Sequence, residues 1–217
     1  MNENMTLTYR KLLERTKEAL EKNNMNAIVA ESKEEARALC EKLIKKGATV
    51  SNGGSVTLSE CGIIELLKSG EYDYIDREQY VDKNEAYRKC FSADFYLSSS
   101  NAITENGALY NVDGNGNRVA CICYGPENVI IVAGRNKIVK DVDEAVYRVK
   151  TLSAPANCNR LNCNTYCYKT GRCMGADGEF TDGCKSDNRI CASYVITGFQ
   201  RIKGRITVIL VNEDFGY

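Results

Sequence analysis

Hydrophobic positions along the chain change period several times, and those changes set the expected elements. In residues 7–24, Leu12, Leu13, Thr16 and Leu20 recur at helical spacing with Lys, Arg and Glu between them, which predicts an amphipathic helix. Residues 26–30 are a short apolar run, read as a strand. Ser32 followed by Glu34 and Glu35 forms a capping box, opening a helix expected to reach about Lys46, with Gly47 placed to end it. Residues 48–51 read as a strand. Residues 56–67 read as a helix entered through Gly53, Gly54 and Ser55. Strand, helix, strand, glycine turn and helix in succession is the rhythm of a parallel α/β sheet.

A charged helix is expected over residues 77–89, after which the chain turns β-rich. Residues 93–98, 108–112, 119–124 and 129–132 read as short strands, separated by turn-formers such as Asp113-Gly114-Asn115-Gly116-Asn117 and Gly125-Pro126. The first of those turns reads as a hairpin, because Asn and Gly tolerate positive φ. Helical spacing returns over 141–152 through Val142, Ala145, Val146 and Val149, and Pro155 is expected to close it. Residues 156–192 are polar, Gly- and Cys-rich and aperiodic. Residues 205–211 form an apolar strand that must lie inside the sheet. No repeat or linker divides the chain. The expected organisation is an α/β domain built from residues 1–156 and 193–217, carrying a cysteine-rich metal-binding segment at 157–192.

Composition narrows the chemistry. Lys and Arg together equal Asp and Glu at 29 each, so no bulk positive field favours nucleic acid or an acidic membrane. No apolar run approaches the ~20 residues of a membrane span. The opening Met1-Asn2-Glu3-Asn4-Met5 has no secretory pattern, and a cytoplasmic location is expected. The 217 residues contain 11 cysteines and no histidine. Ser-His and Cys-His nucleophile pairs, histidine acid–base catalysis and HExxH zinc sites are excluded. Proton transfer falls to Glu, Asp, Lys, Tyr or Cys.

Cys40, Cys61, Cys90, Cys121 and Cys123 lie in or beside expected helices and strands, where cysteine packs as a small hydrophobe. Cys61, next to the glycine turn, is the readiest exception. Cys158, Cys163, Cys167, Cys173, Cys184 and Cys191 crowd the aperiodic segment, which has too little apolar material for a core of its own. Thiolate–metal bonds would fold it, with binding energy becoming folding energy. Sulfur-only ligation suits an iron–sulfur cluster or zinc.

Several blocks together resemble the lactate-utilisation (LUD) domain family. They are Gly53-Gly54-Ser55-Val56-Thr57-Leu58-Ser59-Glu60-Cys61-Gly62, then Leu97-Ser98-Ser99-Ser100-Asn101-Ala102-Ile103-Thr104-Glu105-Asn106-Gly107, then Asn111 through Ala120 and Gly134-Arg135-Asn136-Lys137-Ile138-Val139. Ala154-Pro155-Ala156-Asn157, Arg160-Leu161 and the closing residues 211–217 extend the likeness. It implies a Rossmann-like, mainly parallel sheet with a β-rich insertion, similar to the coenzyme A transferase and ribose-5-phosphate isomerase group. It also implies a role in lactate or hydroxy-carboxylate metabolism beside iron–sulfur lactate-oxidising subunits. The cysteine tail is similar to the family's C-x5-C-x2-C-x6-C pattern. Cys167–Cys173 and Cys184–Cys191 match its ends, while Met174–Gly183 stretches its middle gap. Cys167, Cys173, Cys184 and Cys191 are therefore the expected ligands, with Cys158 and Cys163 as candidates to replace one. Wide spacing and the redox setting favour a [4Fe–4S] cluster over zinc.

Gly53, Gly54, Ser55 and Thr57 stand where a strand meets a helix and would bind a phosphate or carboxylate through backbone amides and hydroxyls. The Thr104–Gly107 turn looks like the (S/T)ENG turn of class I coenzyme A transferases, which makes Glu105 the candidate catalytic carboxylate; pairing with Arg118 or Lys137 is the structural alternative. Asn101, Asn111, Asp113, Asn117, Arg118 and Lys137 are candidate contacts for a small carboxylate or phosphorylated substrate. The leading expectation is a redox-linked or Lewis-acid protein acting on a small hydroxy acid. The alternatives are a non-catalytic assembly subunit with a zinc knuckle, and an acyl or coenzyme A transferase using Glu105. A homo-oligomer is compatible with either.

Overall fold

The computed structural model describes residues 2–217. The strands, in chain order, are β1 (Asn26–Ala30), β2 (Thr49–Asn52), β3 (Asp73–Tyr74), β4 (Phe95–Ser98), β5 (Ala102–Thr104), β6 (Leu109–Asp113), β7 (Asn128–Gly134), β8 (Ile138–Val139), β9 (Ser193–Thr197) and β10 (Ile206–Val211). The helices are α1 (Glu3–Lys22), α2 (Lys33–Leu43), α3 (Val56–Glu60), α4 (Ile63–Leu67), α5 (Lys83–Lys89), α6 (Asn117–Cys123), α7 (Val142–Arg148), α8 (Ala154–Leu161) and α9 (Tyr166–Thr170).

The main sheet runs β1-β10-β7-β4-β2-β3 with every pairing parallel. A parallel sheet must be covered on both faces, so its strands read as continuous apolar runs. β10 shows this most fully: all six of its residues are buried. Alternate residues of β7 and β10 point to opposite layers. Ile131, Val208 and Leu210 pack with Leu13 and Leu20 of α1. Ile130, Val132 and Ile209 pack with Cys40 of α2, Leu58 of α3 and Leu67 of α4. Each such aliphatic side chain contributes about 1.5–3 kcal/mol on burial.

The expected β-rich insertion is a second sheet of order β8-β5-β6-β9. It buries Ala102, Tyr110 and Val112 against Ala145, Val149 and Ala154. β9 was not anticipated; its residues pair antiparallel with β6 from Leu109↔Thr197 to Asp113↔Ser193.

Several expected elements are corrected. The stretch 119–124, rich in strand-forming residues, is helix α6. Asp113 Oδ2 accepts hydrogen bonds from the Arg118 and Val119 amides at 2.9 and 3.2 Å, and Gly116 takes φ 78° at the turn. That cap overrides β-propensity, which depends on context. Residues 113–117 are consequently a strand-to-helix turn, not a hairpin. The expected helix 56–67 breaks at Gly62, which adopts φ 65°. The expected helix 77–89 is a single turn at Arg77–Gln79 followed by α5, with Asp76 and Asp82 capping the two pieces. The helix from Ser32 ends at Leu43, before Gly47. Pro155 does not close the helix begun at α7. It lies in the first turn of α8, where its missing N–H costs little. Between α7 and α8, Val149–Ser153 form a π-helical turn, and the run ends only at Asn162, with φ 52°.

Candidate functional site

Chain direction singles out one crevice. From β2 the chain moves outward to β3, then returns to β4 on the other side of β2 and proceeds to β7 and β10. The strand order therefore reverses between β2 and β4, and ligands of open α/β sheets bind beyond the strand C-termini at such a point. Gly53–Ser55 leave β2 there, and Ser99, Ser100 and Asn101 leave β4. A cleft of about 400 Å³ opens at this place, lined by Gly54, Ser55, Ser99, Ser100 and Asn101 among others. Five cationic side chains, Arg77, Arg118, Lys137, Arg160 and Arg189, line it against the acids Asp113 and Asp187. The balance suits an anion.

Each cation is held differently. Arg118 is committed to the protein: Nη1 donates to Ser99 O and Asn111 Oδ1 at 3.1 and 2.7 Å, and Nη2 donates to Asn101 Oδ1 and Val112 O at 2.8 and 2.7 Å. Asn101, Asn111 and Asp113 thus fix Arg118 and the start of α6. Gly53 belongs to the same packing, since a Cβ there would lie 2.9 Å from the Arg118 stem and 3.0 Å from Tyr96 Oη. Arg77, by contrast, lies beside Gly54 and over the Tyr87 ring at 5.9 Å. Arg160 donates through Nε to Tyr217 Oη at 2.8 Å and to Asn157 Oδ1 at 3.0 Å. Arg77 and Arg160 also border a neighbouring hollow of about 290 Å³.

Lys137 follows β7 in a single helical turn, Arg135–Lys137, and is 4% exposed. Its Nζ donates to Thr57 Oγ1 at 2.8 Å and Ser99 Oγ at 3.0 Å, so it links the two sides of the crevice. Burial, then the positive charges of Arg148 and Arg118, lower its pKa from 10.5 to about 7. Ser55 is turned to structure, with its Oγ accepting from the Leu58 amide as the α3 cap.

Glu105 lies elsewhere. It does not line the cleft; its partly exposed carboxylate is 3.6 Å from Arg15 on α1, in place of Arg118 or Lys137. The turn around it is a structural clasp. Asn23 Nδ2 donates to Asn106 O and Gly107 O, each at 3.0 Å, and the Thr104 hydroxyl donates to Asn106 Oδ1. Gly107 has φ 81°, and a Cβ there would sit 2.5 Å from the Ala19 carbonyl carbon.

The cysteines divide differently from expectation at one place. Cys40, Cys61, Cys90 and Cys121 are buried, and burial pushes the thiols of Cys40, Cys61 and Cys121 up to about 12, which leaves them inert at neutral pH. Cys123, expected to pack, is exposed, because the turn of α6 carries it away from buried Val119 and Ile122. Cys167, Cys173, Cys184 and Cys191 all line one small, almost wholly apolar cavity, together with Lys150. Lys150 is buried, and its Nζ donates to Gly175 O and Glu179 O at 2.7 and 2.6 Å. Arg189 ties the other wall, donating to Cys191 O at 2.9 Å and Cys184 O at 3.0 Å. Cys158 Sγ lies 3.6 Å from Cys167 Sγ. Cys163 faces the cleft instead. As they stand, no three Cys, Asp or Glu side chains among the described residues are arranged to hold a metal ion. The cavity and the cleft share Val149, Ala154 and Cys191 as common wall.

The LUD domain profile matches residues 13–211. The chain belongs to the LUD domain family. A DUF162 family protein from Deinococcus radiodurans has a similar structure, with a TM-score of 0.53 at 14% identity over 94% of this chain and 97% of that one. Ribose 5-phosphate isomerase from Plasmodium falciparum matches over 50% of this chain and 52% of its own, at 20% identity and a TM-score of 0.32. No curated protein matches the chain. Among the described residues of this LUD domain, no helix is long and apolar enough to cross a membrane.

Sequence reasoning missed Arg77, Arg160, Arg189, Ser99 and Tyr217 as cleft residues of the LUD domain. Ser99, Arg160 and Tyr217 lay inside blocks that carry the family likeness. Arg189 lay in the cysteine tail that resembles the family pattern, and Arg77 gave no signal, because only the tertiary fold brings it to Gly54.

Proposed function

We infer that this LUD-domain protein binds a small carboxylate anion in the cleft between β2 and β4 and carries a cysteine-ligated iron–sulfur cluster behind the cleft wall. The observation that carries the reading is the shared wall: Cys191 borders both the five-cation cleft and the cavity lined by Cys167, Cys173 and Cys184. Four thiols, largely apolar walls and a buried Lys150 cation, with Asp182 as the one carboxylate among the lining residues, suit an anionic thiolate cluster, whose properties follow its net charge and surroundings. Sulfur ligands widely spaced along the chain favour a cluster over a single zinc. The free space is about 10 Å³, so loading a cluster requires this cavity to widen. When bound, such a cluster supplies electron transfer or Lewis-acid polarisation.

The chain's own residues do the rest. Arg77 and Arg160 attract and orient the carboxylate, since guanidinium groups match it in a fork geometry. Gly54 leaves room at the turn, and Arg118, fixed by four hydrogen bonds, adds positive charge without moving. Lys137, held from behind by buried Thr57, meets the other end of the ligand together with Ser99. The chemistry that fits is redox or acid–base work on a short hydroxy or oxo acid. Anaerobically purified protein is expected to be brown, to hold iron and acid-labile sulfide, and to bind lactate or pyruvate calorimetrically. A colourless protein loaded with one zinc per chain overturns the cluster. Loss of neither binding nor affinity in an Arg77→Ala, Arg160→Ala double variant overturns the cleft.

A further inference from the structure

Lys137 is more than a positive charge in the cleft. Its amine meets two neutral hydroxyls, Thr57 Oγ1 and Ser99 Oγ, and among the described residues no carboxylate forms an ion pair with it. The charges facing it are of its own sign, Arg148 and Arg118, with Glu60 and the Cys61 thiol as weaker opposing groups. A lysine that is buried and placed beside other cations is the arrangement that frees an amine for attack at neutral pH. A neutral amine has two N–H bonds and one lone pair. Donation to Thr57 and Ser99 uses both hydrogens and leaves the lone pair available.

We propose that Lys137 is a nucleophile that forms an imine with the carbonyl of a short 2-oxo carboxylate held in this cleft. The proposal rests on the reading of the cleft as a carboxylate site. The lysine nitrogen adds to the carbonyl carbon, forming a C–N bond, and the C=O π electrons move to oxygen. The proton lost by nitrogen goes to that oxygen, with the Ser99 and Thr57 hydroxyls placed to pass it. The carbinolamine then loses its hydroxyl with a second proton as water, leaving C=N. One amine and one carbonyl give one imine and one water, with no oxidant or reductant. The imine draws electrons from the neighbouring carbon, so the bound acid becomes able to exchange an α-proton.

The experiment uses the protein as isolated anaerobically, incubated with pyruvate and cyanoborohydride and read by intact mass and peptide mapping. The expected result is a single reduced adduct on the peptide that carries Lys137. It is suppressed by excess lactate, which binds but has no carbonyl, and it falls roughly ten-fold or more at pH 5 compared with pH 8 as the amine protonates. The adduct is lost in Lys137→Arg and Lys137→Met, and it slows in Ser99→Ala, which keeps the lysine. Calorimetric binding of pyruvate with no adduct at Lys137 in the wild-type protein overturns the covalent role and leaves the carboxylate site standing. Adducts scattered over surface lysines and unaffected by lactate also overturn it. Absence of any carboxylate binding overturns both.

Discussion

Moving Lys137 into the protein has a pH signature that can be measured without knowing the substrate. Its pKa is 10.5 in an ordinary setting and about 7 in the fold, a gap worth on the order of 4–5 kcal/mol. The lowered value means that the unfolded chain holds more protons than the native one between these limits. Stability therefore rises with pH, the burial cost being fully present below about pH 7 and gone above 10.5. Because the side chain is 4% exposed, solvent screening removes little of this. Between pH 7.5 and 9 the rise is about 2 kcal/mol, at no more than about 1.4 kcal/mol per pH unit. Lys137→Met removes the titration. It also leaves the Thr57 and Ser99 hydroxyls without their donor, shifting stability by a pH-independent amount of about 1–3 kcal/mol. Urea denaturation of both proteins at several pH values gives a difference curve in which other groups largely cancel. That difference should move by about 2 kcal/mol in favour of the wild type from pH 7.5 to 9. A flat difference would refute a lowered pKa at Lys137.

Other consequences are simpler to state. Cys191→Ser should lower bound iron and the visible absorption at least several-fold, while Cys123→Ser, at an exposed thiol, leaves both unchanged; elemental analysis and spectra decide. Gly107→Ala forces a Cβ to 2.5 Å from the α1 backbone at positive φ and should cost more than about 2 kcal/mol in chemical denaturation. Arg77→Ala should weaken carboxylate binding by about ten-fold in calorimetry, with little change in melting temperature. Glu105→Gln removes an exposed contact with Arg15, so it should leave carboxylate affinity intact and change stability by less than about 1 kcal/mol.

What could be read from the sequence was whatever a local pattern decides. Residues 206–211 are apolar because they are buried on two faces, and the short run at 26–30 pairs beside them as a partly buried edge strand. The glycine turn after β2 was legible for the same reason, since strand, turn and helix are adjacent in the chain. Helix α6 was not, because its cap comes from Asp113, before the helix begins, and the helix itself is built from residues that favour strands. The Thr104–Gly107 block was found but its use was not. Its Gly is explained by the close approach of Ala19 in a helix some 80 residues earlier, and its Thr and Asn by their hydrogen bonds to each other and to Ala108. Asn101, Asp113, Asn117, Arg118 and Lys137 of the cleft could be named from the sequence, whereas Arg77 and Arg160 could not, since they join it only after the sheet has formed. Rules that work within a few residues recover elements, and sites assembled across the sheet need the topology.

The placement of β10 between β1 and β7 has a consequence for how the chain is made. β1 pairs with β10 alone, from Asn26↔Thr207 to Ala30↔Val211, so a strand synthesised early waits for one synthesised near residue 211. Until then, the inner edge of β7 and the whole of β1 present unpaired amides and carbonyls beside apolar side chains, the state most prone to mispairing. Closure of such a distant contact costs loop entropy that grows with the logarithm of the loop length, and non-local pairings of this kind form slowly. A ribosome-bound chain stopped short of Ile206 should therefore engage chaperones and resist compaction. Release of β10 would lock helix α1, the apolar core and the cleft between β2 and β4 into place together.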